Sequence, residues 1–279
     1  MSHSLDIEHL QSWIGKREMT VDSMTPELLE RFTATVHGHT ELGSHTPHGI
    51  HWCLAQPAVT HEELGIDGHP AKGGFLPPVP LPRRMWASSS MKFHGEFRID
   101  EPIEKTSTIA DVQLKQSKSS GALIFLTLDH SYRQNGTTLL EDRQSIVYRQ
   151  PSAYKQSDPE ESIASKYIKT VLPDSRLLFR YSAVTFNGHR IHYDHDYTTQ
   201  QEGYPGLVVH GPLMATLLMN LAQSQRPDQP LRAFAFRGVA PAFVDQALQL
   251  MVLDNDARSL EIRNPVGALV MSASAKFEN

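Results

Sequence analysis

Cysteine is nearly missing: Cys53 stands alone in 279 residues. No disulfide can form within the chain, which suits a reducing compartment, and a cytoplasmic protein is expected. Long apolar runs are missing as well. No stretch approaches the ~18 to 20 residues that a helical membrane span requires. The opening residues, Met1-Ser2-His3-Ser4-Leu5-Asp6, hold no basic region followed by an apolar one, so they do not read as a secretory signal. An excess of positive charge is lacking, with 26 Lys and Arg against 31 Asp and Glu and a net charge of −5. That gives no electrostatic reason to expect a nucleic-acid partner, although local basic groups suit the phosphates of a cofactor-sized ligand. Neither a Gly-x-Gly-x-x-Gly turn nor a Walker-type loop is present, so no organic cofactor is expected. What is there, 39% hydrophobic and 20% charged residues, describes a soluble globular chain long enough for two compact domains or one large one.

Residues 1 to about 35 read as amphipathic helix, with Leu10, Trp13 and Ile14 at helical spacing and Thr25-Pro26-Glu27 opening a second segment. A histidine-rich region follows (His37, His39, His45, His48, His51). Segment 68–84, broken by Gly68, Gly73, Gly74, Pro77, Pro78, Pro80 and Pro82, predicts an ordered covering loop. From Arg83 the pattern turns to strands: 91–97, 107–115, 122–133 and 141–149, with Asn135-Gly136 as a hairpin signal. Prolines and charges over 150–175 read as a linker. The remainder reads as a strand (177–185), a polar loop (186–206), an apolar helix (212–224) and four strands near 231–239, 245–253, 258–263 and 268–277. That helix is apolar on nearly every face except Asn220 and Gln223, so a sheet should wrap it.

Two runs organise the second half: Thr185-Phe186-Asn187-Gly188-His189-Arg190-Ile191-His192-Tyr193-Asp194 and Gly206-Leu207-Val208-Val209-His210-Gly211-Pro212-Leu213. The first sets an imidazole of near-neutral pKa in a polar loop. The second opens a helix, with Gly211 and Pro212 suited to the N-cap and first helical position, so that free N–H groups face a developing negative charge. Together they resemble the MaoC-like hydratase/dehydratase branch of the hotdog superfamily, which carries an Asp-x-Asn-Pro-aliphatic-His loop and a helix opened by Val-His-Gly. With Glu202-Gly203-Tyr204-Pro205-Gly206 before the helix, the variant is similar to hydroxyacyl-thioester dehydratase type 2 and to bacterial itaconyl- and mesaconyl-CoA hydratases.

The resemblance implies an α+β double hotdog, two antiparallel sheets each wrapped on a helix, with a degenerate first half. The expected division is a degenerate hotdog at 1–150, a linker at 151–175 and a catalytic hotdog at 176–279. His192 falls on the family histidine and is the expected acid/base. Asn187 falls on the family aspartate, and His189 and Arg190 replace the usual Asn-Pro. An amide orients water but takes up no proton, so either His192 serves as both acid and base or a carboxylate among Asp194, Asp196 and Glu202 assists. Asp194 also suits a cap for the short helix that follows. Gly211 N–H is the expected donor to the thioester oxygen. Expected substrate-binding residues are Arg190, His210, Arg237, Arg84 and Trp86, with Arg83 beside them. His210 alternatively packs behind the turn. His189-x-x-His192 with His195 and Asp196 raises a metal, but no cysteine cluster or His-Glu-x-x-His accompanies it, and no metal is expected.

The expected partner is a CoA thioester, with no nucleic acid and no membrane. The expected assembly is a dimer of double hotdogs or a monomer whose halves mimic one. The resemblance points to hydration of itaconyl-CoA or mesaconyl-C4-CoA to citramalyl-CoA. A 3-hydroxyacyl-ACP/CoA dehydratase of fatty-acid metabolism, a hotdog thioesterase and a thioester-binding module are the rival readings.

Overall fold

The computed structural model describes residues 5–43, 45–117, 121–160 and 164–278. The described residues form ten strands and four α-helices. In chain order they are α1 (Ile7–Gln11), β1 (Arg17–Ser23), α2 (Pro26–Val36), β2 (Arg83–Phe93), β3 (Pro102–Ser117), β4 (Gly121–Gln134), β5 (Thr137–Arg149), β6 (Tyr167–Val171), α3 (Ser175–Val184), α4 (Gly211–Ser224), β7 (Leu231–Gly238), β8 (Leu248–Val252), β9 (Ser259–Arg263) and β10 (Leu269–Phe277). All ten strands join one antiparallel sheet, ordered β1-β3-β4-β5-β2-β7-β10-β9-β8-β6. The first five belong to the first half of the chain and the last five to the second. The seam is β2 against β7, running from Ser88 opposite Arg237 to Lys92 opposite Ala233.

Local chemistry explains the joints. Asn135 and Gly136 both take positive φ, +48° and +77°, which is the backbone a two-residue hairpin between β4 and β5 demands. Helix α4 is buried continuously from Leu213 to Gln223 and packs on β7, β8, β9 and β10. Its two buried amides are fully used. Asn220 exchanges hydrogen bonds with the backbone of His48 at 3.0 and 2.9 Å, and Gln223 Oε1 accepts from Leu231 N–H at 2.8 Å. Buried amides partnered in this way cost little and fix the first-half segment near His48 onto the central helix. Gly49 tightens the same contact: at φ +95° a Cβ there would meet Thr216 Oγ1 at 2.3 Å.

Among the described residues the first half carries no long central helix of its own. Its concave face is filled by α1, by a helical turn at Ile50–Cys53 and by Val79 and Leu81. One apolar core runs unbroken from Met24, Phe32 and Trp52 to Leu217, Leu218 and Ile262, so the halves share an interior.

Four expectations change. Residues 177–184 form helix α3 rather than a strand, with the Asp174 side chain accepting from Leu177 N–H at 2.9 Å as its cap. Strand β1 interrupts the helical start, pairing along the outer edge of β3. Tyr167–Val171, inside the stretch read as linker, is the opposite edge strand and pairs with β8. The N-cap of α4 is His210, which puts Gly211 and Pro212 one position further into the helix. Among the described residues no helix is long and apolar enough to cross a membrane.

Candidate active site

The site loop begins where α3 stops. Thr185 closes the helix, and Phe186 then takes φ +50°, a left-handed conformation that is costly for a bulky side chain. This reversal turns the chain into Asn187, whose Oδ1 accepts from His189 N–H at 3.0 Å. A helical turn at Arg190–His192 follows. The loop is pinned by main-chain carbonyls of the first half. Arg190 N–H donates to Asp67 O at 2.9 Å, and Arg190 Nη1 to Ile66 O at 3.1 Å. Gly68 lies so close to Gly188 that a Cβ on Gly68 would stand 2.0 Å from the Gly188 carbonyl oxygen.

His192 is 6% exposed. Its Nδ1 lies 2.7 Å from the carbonyl oxygen of Val208. A carbonyl only accepts, so Nδ1 carries the proton and Nε2 is left with a lone pair, the tautomer a base requires. Burial pushes the imidazole down to about 4, against a smaller upward pull from the Val208 carbonyl, and the ring is neutral at pH 7. His192 stacks on His210 with ring centroids 3.6 Å apart. Because His210 is the N-cap of α4, this stack sets His192 beside the helix end that Gly211 opens. A Cβ on Gly211 would find only the Trp86 carbonyl, at 3.9 Å, so packing within the protein does not demand a glycine there. On its outer side His192 borders an open groove of about 380 Å³ with Phe179, Arg180, Tyr193 and Leu207.

The other expected residues divide by what already holds them. His210 is fully buried, with Nε2 2.8 Å from Ser182 Oγ, so it packs behind His192. Arg190 is tied to Asp194 at 2.7 and 3.0 Å and lies over the Tyr197 ring. Asp194 also accepts from Tyr197 N–H at 3.0 Å, which caps the next helical turn. Glu202 pairs with Arg83 at 2.8 Å, and Asp196 is 84% exposed. None of these three carboxylates is spent on His192. Arg237 projects from the outer face of β7, exposed and opposite Phe234 and Phe236, because strand neighbours alternate faces. Arg84 reaches Asp67 at 3.4 Å, and Trp86 is part-buried with Nε1 on Ser88 O at 3.0 Å.

Sequence reasoning missed Asp67 and His69. They come from the covering loop and meet the site loop at His189, with the His69 and His189 rings 4.4 Å apart. Asp67, His69 and His189 have metal-type donor atoms within 4.8 Å of one another. Arg84 already neutralises Asp67, and its charge opposes a cation at that point. Burial, together with Arg84 and the neighbouring rings, holds both imidazoles well below their usual range. The only sequence hint of this contact was the glycine at position 68.

A chain with this arrangement has known relatives. Mesaconyl-C(4)-CoA hydratase of Chloroflexus aurantiacus is 40% identical over 273 residues, covering 95% of this chain and 97% of that protein. Among solved structures, HtdX of Mycobacterium tuberculosis aligns with TM-score 0.68 at 15% identity, over 94% of this chain and 100% of that one. A second Mycobacterium tuberculosis protein, described as a double hotdog fold, aligns with TM-score 0.55 at 11% identity over 95% and 96%. Likeness at such low identity speaks to the fold, and the fold is the double hotdog expected from the two motif runs. The family model described as hydroxyacyl-thioester dehydratase type 2 matches residues 49–244, and the chain belongs to that family of MaoC-like hydro-lyases.

Proposed function

We propose that this hydro-lyase reversibly hydrates a branched C5-dicarboxylic CoA thioester, mesaconyl-C4-CoA or itaconyl-CoA, to citramalyl-CoA. The observation that carries the reading is the neutral, Nδ1-protonated His192 packed beside the N-terminus of α4. Nε2 takes a proton from water as the water oxygen adds to the β-carbon. The electron pair of the double bond moves toward the thioester oxygen, held by Gly211 N–H and the positive end of α4. The imidazolium then returns the proton to the α-carbon, so one water adds and the enzyme is restored.

The dicarboxylic acyl group answers what the site lacks. Asn187 takes up no proton, and Asp194 and Glu202 are paired with arginines. In mesaconyl-C4-CoA the carbon that receives the hydroxyl carries a carboxylate. Beside His192 that negative charge stabilises the imidazolium as it forms and raises a base otherwise near 4 toward working pH. The relative from Chloroflexus aurantiacus, named for hydration of mesaconyl-C4-CoA, supports the same acyl group. Itaconyl-CoA has its double bond out of conjugation, so its route begins with protonation at the terminal methylene or an allylic proton shift. Dehydration of a 3-hydroxyacyl thioester is the second reading, favoured by the family description.

The test incubates purified protein with mesaconyl-C4-CoA, itaconyl-CoA and crotonyl-CoA and follows product mass beside a His192→Ala control. Water adducts of the C5 esters, lost in the variant, support the proposal. Turnover of crotonyl-CoA alone moves the protein to fatty-acyl chemistry, and free CoA without an adduct makes it a thioesterase.

A further inference from the structure

Three aromatic rings pack together at the β2–β7 seam, and one belongs to Trp86, whose backbone faces Gly211. Trp52 and Trp86 meet edge to face with centroids 5.2 Å apart, and Phe236 of β7 lies 6.0 Å from Trp86 and 6.2 Å from Trp52. The Trp86 carbonyl oxygen lies 3.9 Å from where a Cβ on Gly211 would stand. Trp52 lies three residues after Gly49, whose backbone presses on Thr216 of α4, and Phe236 sits opposite Ser89 in the β2–β7 seam, so the trio links α4 to that seam.

An unusual device holds Trp52 in place. Its Nε1 donates at 3.1 Å to Asp142, a carboxylate 1% exposed. Asp142 also accepts from Ser89 Oγ at 2.6 Å and Gln144 Nε2 at 2.7 Å, with His51 Nε2 at 3.8 Å. Burying a carboxylate is expensive, and apolar residues would fill this space with less penalty. A planar indole with one possible donor is fixed in orientation by such an anchor, whereas an aliphatic side chain would yield. The reaction chemistry above makes no use of this network.

We propose that Trp52, Trp86 and Phe236 form a rigid end wall that restricts the enzyme to short acyl groups, with Asp142 as the positioning residue that locks Trp52. A thioester with its oxygen on Gly211 N–H meets His192 on one side and the wall on the other. Four- and five-carbon acyl groups should fit between them, and an extended eight-carbon chain should meet Trp86. This inference rests on the proposed placement of the thioester at Gly211.

The experiment compares kcat/KM for crotonyl-CoA, mesaconyl-C4-CoA and trans-2-octenoyl-CoA in the wild type, Trp86→Ala, Trp52→Leu and Asp142→Asn. The wild type should favour the short esters over octenoyl-CoA by at least about tenfold, since each methylene refused burial forfeits a several-fold gain in binding. Trp86→Ala and Trp52→Leu should each raise the octenoyl-to-crotonyl ratio by about tenfold, and Asp142→Asn by less in the same direction. A general loss of structure lowers all the rates together and leaves that ratio fixed. Trp86 is part-buried, so its variant serves if Trp52→Leu fails to fold. Calorimetric binding of butyryl-CoA and octanoyl-CoA reads the wall without turnover. A protein that binds both but hydrates nothing overturns the hydratase reading, while its affinity ratio still decides the wall. Equal use of octenoyl-CoA by the wild type, or ratios unmoved in tryptophan variants that keep the wild-type fold by circular dichroism, would overturn the inference.

Discussion

Lowering the pH from 7 to 5 should remove a large part of the folding free energy, because five histidines are buried in their neutral form. His51, His130, His189, His192 and His210 are each less than 9% exposed. Burial holds His192 near 4 and His130 near 3, and lowers the other three well below their usual range. In the unfolded chain each titrates near ~6.5. The folded values are depressed, so the stabilisation is complete above about 6.5 and is lost as the pH falls toward the folded value. Between pH 7 and 5 the unfolded chain takes up a proton at His192 and at His130 that the folded chain refuses. That costs about 2 kcal/mol per residue, roughly 4 kcal/mol for the pair, against a total stability of order 5 to 15 kcal/mol. The other three act in the same direction. Asp142 opposes them: burial raises its carboxyl, so the folded state binds that proton first and gains from acid. Urea unfolding followed by tryptophan fluorescence at pH 7, 6 and 5 reads the balance. With a slope of about 3 kcal/mol per molar urea, the midpoint should fall by more than about 1 M. His130→Gln removes one of the titrating groups and should reduce the fall by about 2 kcal/mol, whatever it does to stability at pH 7. A midpoint constant from pH 7 to 5, or a His130→Gln variant that falls as steeply as the wild type, refutes the reasoning.

Gly211→Ala should fold with stability within about 1 kcal/mol of the parent, since alanine favours a helix and its Cβ meets nothing closer than 3.9 Å. If the amide holds the developing oxyanion, kcat should still fall by about tenfold or more as the methyl crowds the thioester. Phe186→Gly relieves a left-handed backbone at a side chain 65% exposed, and should raise the thermal midpoint with a gain of about 1 kcal/mol. A lower midpoint would mean that Phe186 packs more than its exposure implies. Gly68→Ala puts a Cβ 2.0 Å from Gly188 O at φ +84°, so the covering loop must lift. Hydrogen exchange at the Arg190 amide, now bonded to Asp67 O, should speed up markedly while the β4–β5 core stays protected.

Much of this architecture was legible because local signals agreed with the global packing. Asn135-Gly136 named its hairpin, the all-round apolarity of α4 named a wrapped helix, and the spacing of Asn187 and His192 ahead of Val209-His210-Gly211 marked the loop and helix that the structure brings together. Helix α3 was misread because Leu177, Leu178, Tyr181 and Val184 are dense enough to look like a strand. The discriminating evidence was Asp174, three residues before Leu177, in capping position. Strand β1 is exposed along most of its length, so edge hydrogen bonding rather than apolar alternation defines it. The contacts of the covering loop were out of reach for another reason. Glycine backbone and main-chain carbonyls make them, and such groups leave no pattern of side chains to read. The commitments of Arg190, Glu202 and Arg83 were hidden likewise, because pairing across distant segments is a tertiary property.

The seam between β2 and β7 has a consequence for the integrity of the molecule. Each half completes the other's sheet and shares its apolar interior, so neither half ends in a finished surface at that junction. The covalent link at residues 155–159 is then not what holds the halves together. A chain cut there by a protease should keep its shape, and two separately synthesised pieces should find each other and reconstitute one body. Heat should melt both halves in a single transition, since parting them means opening a ladder of main-chain bonds and a common core at once.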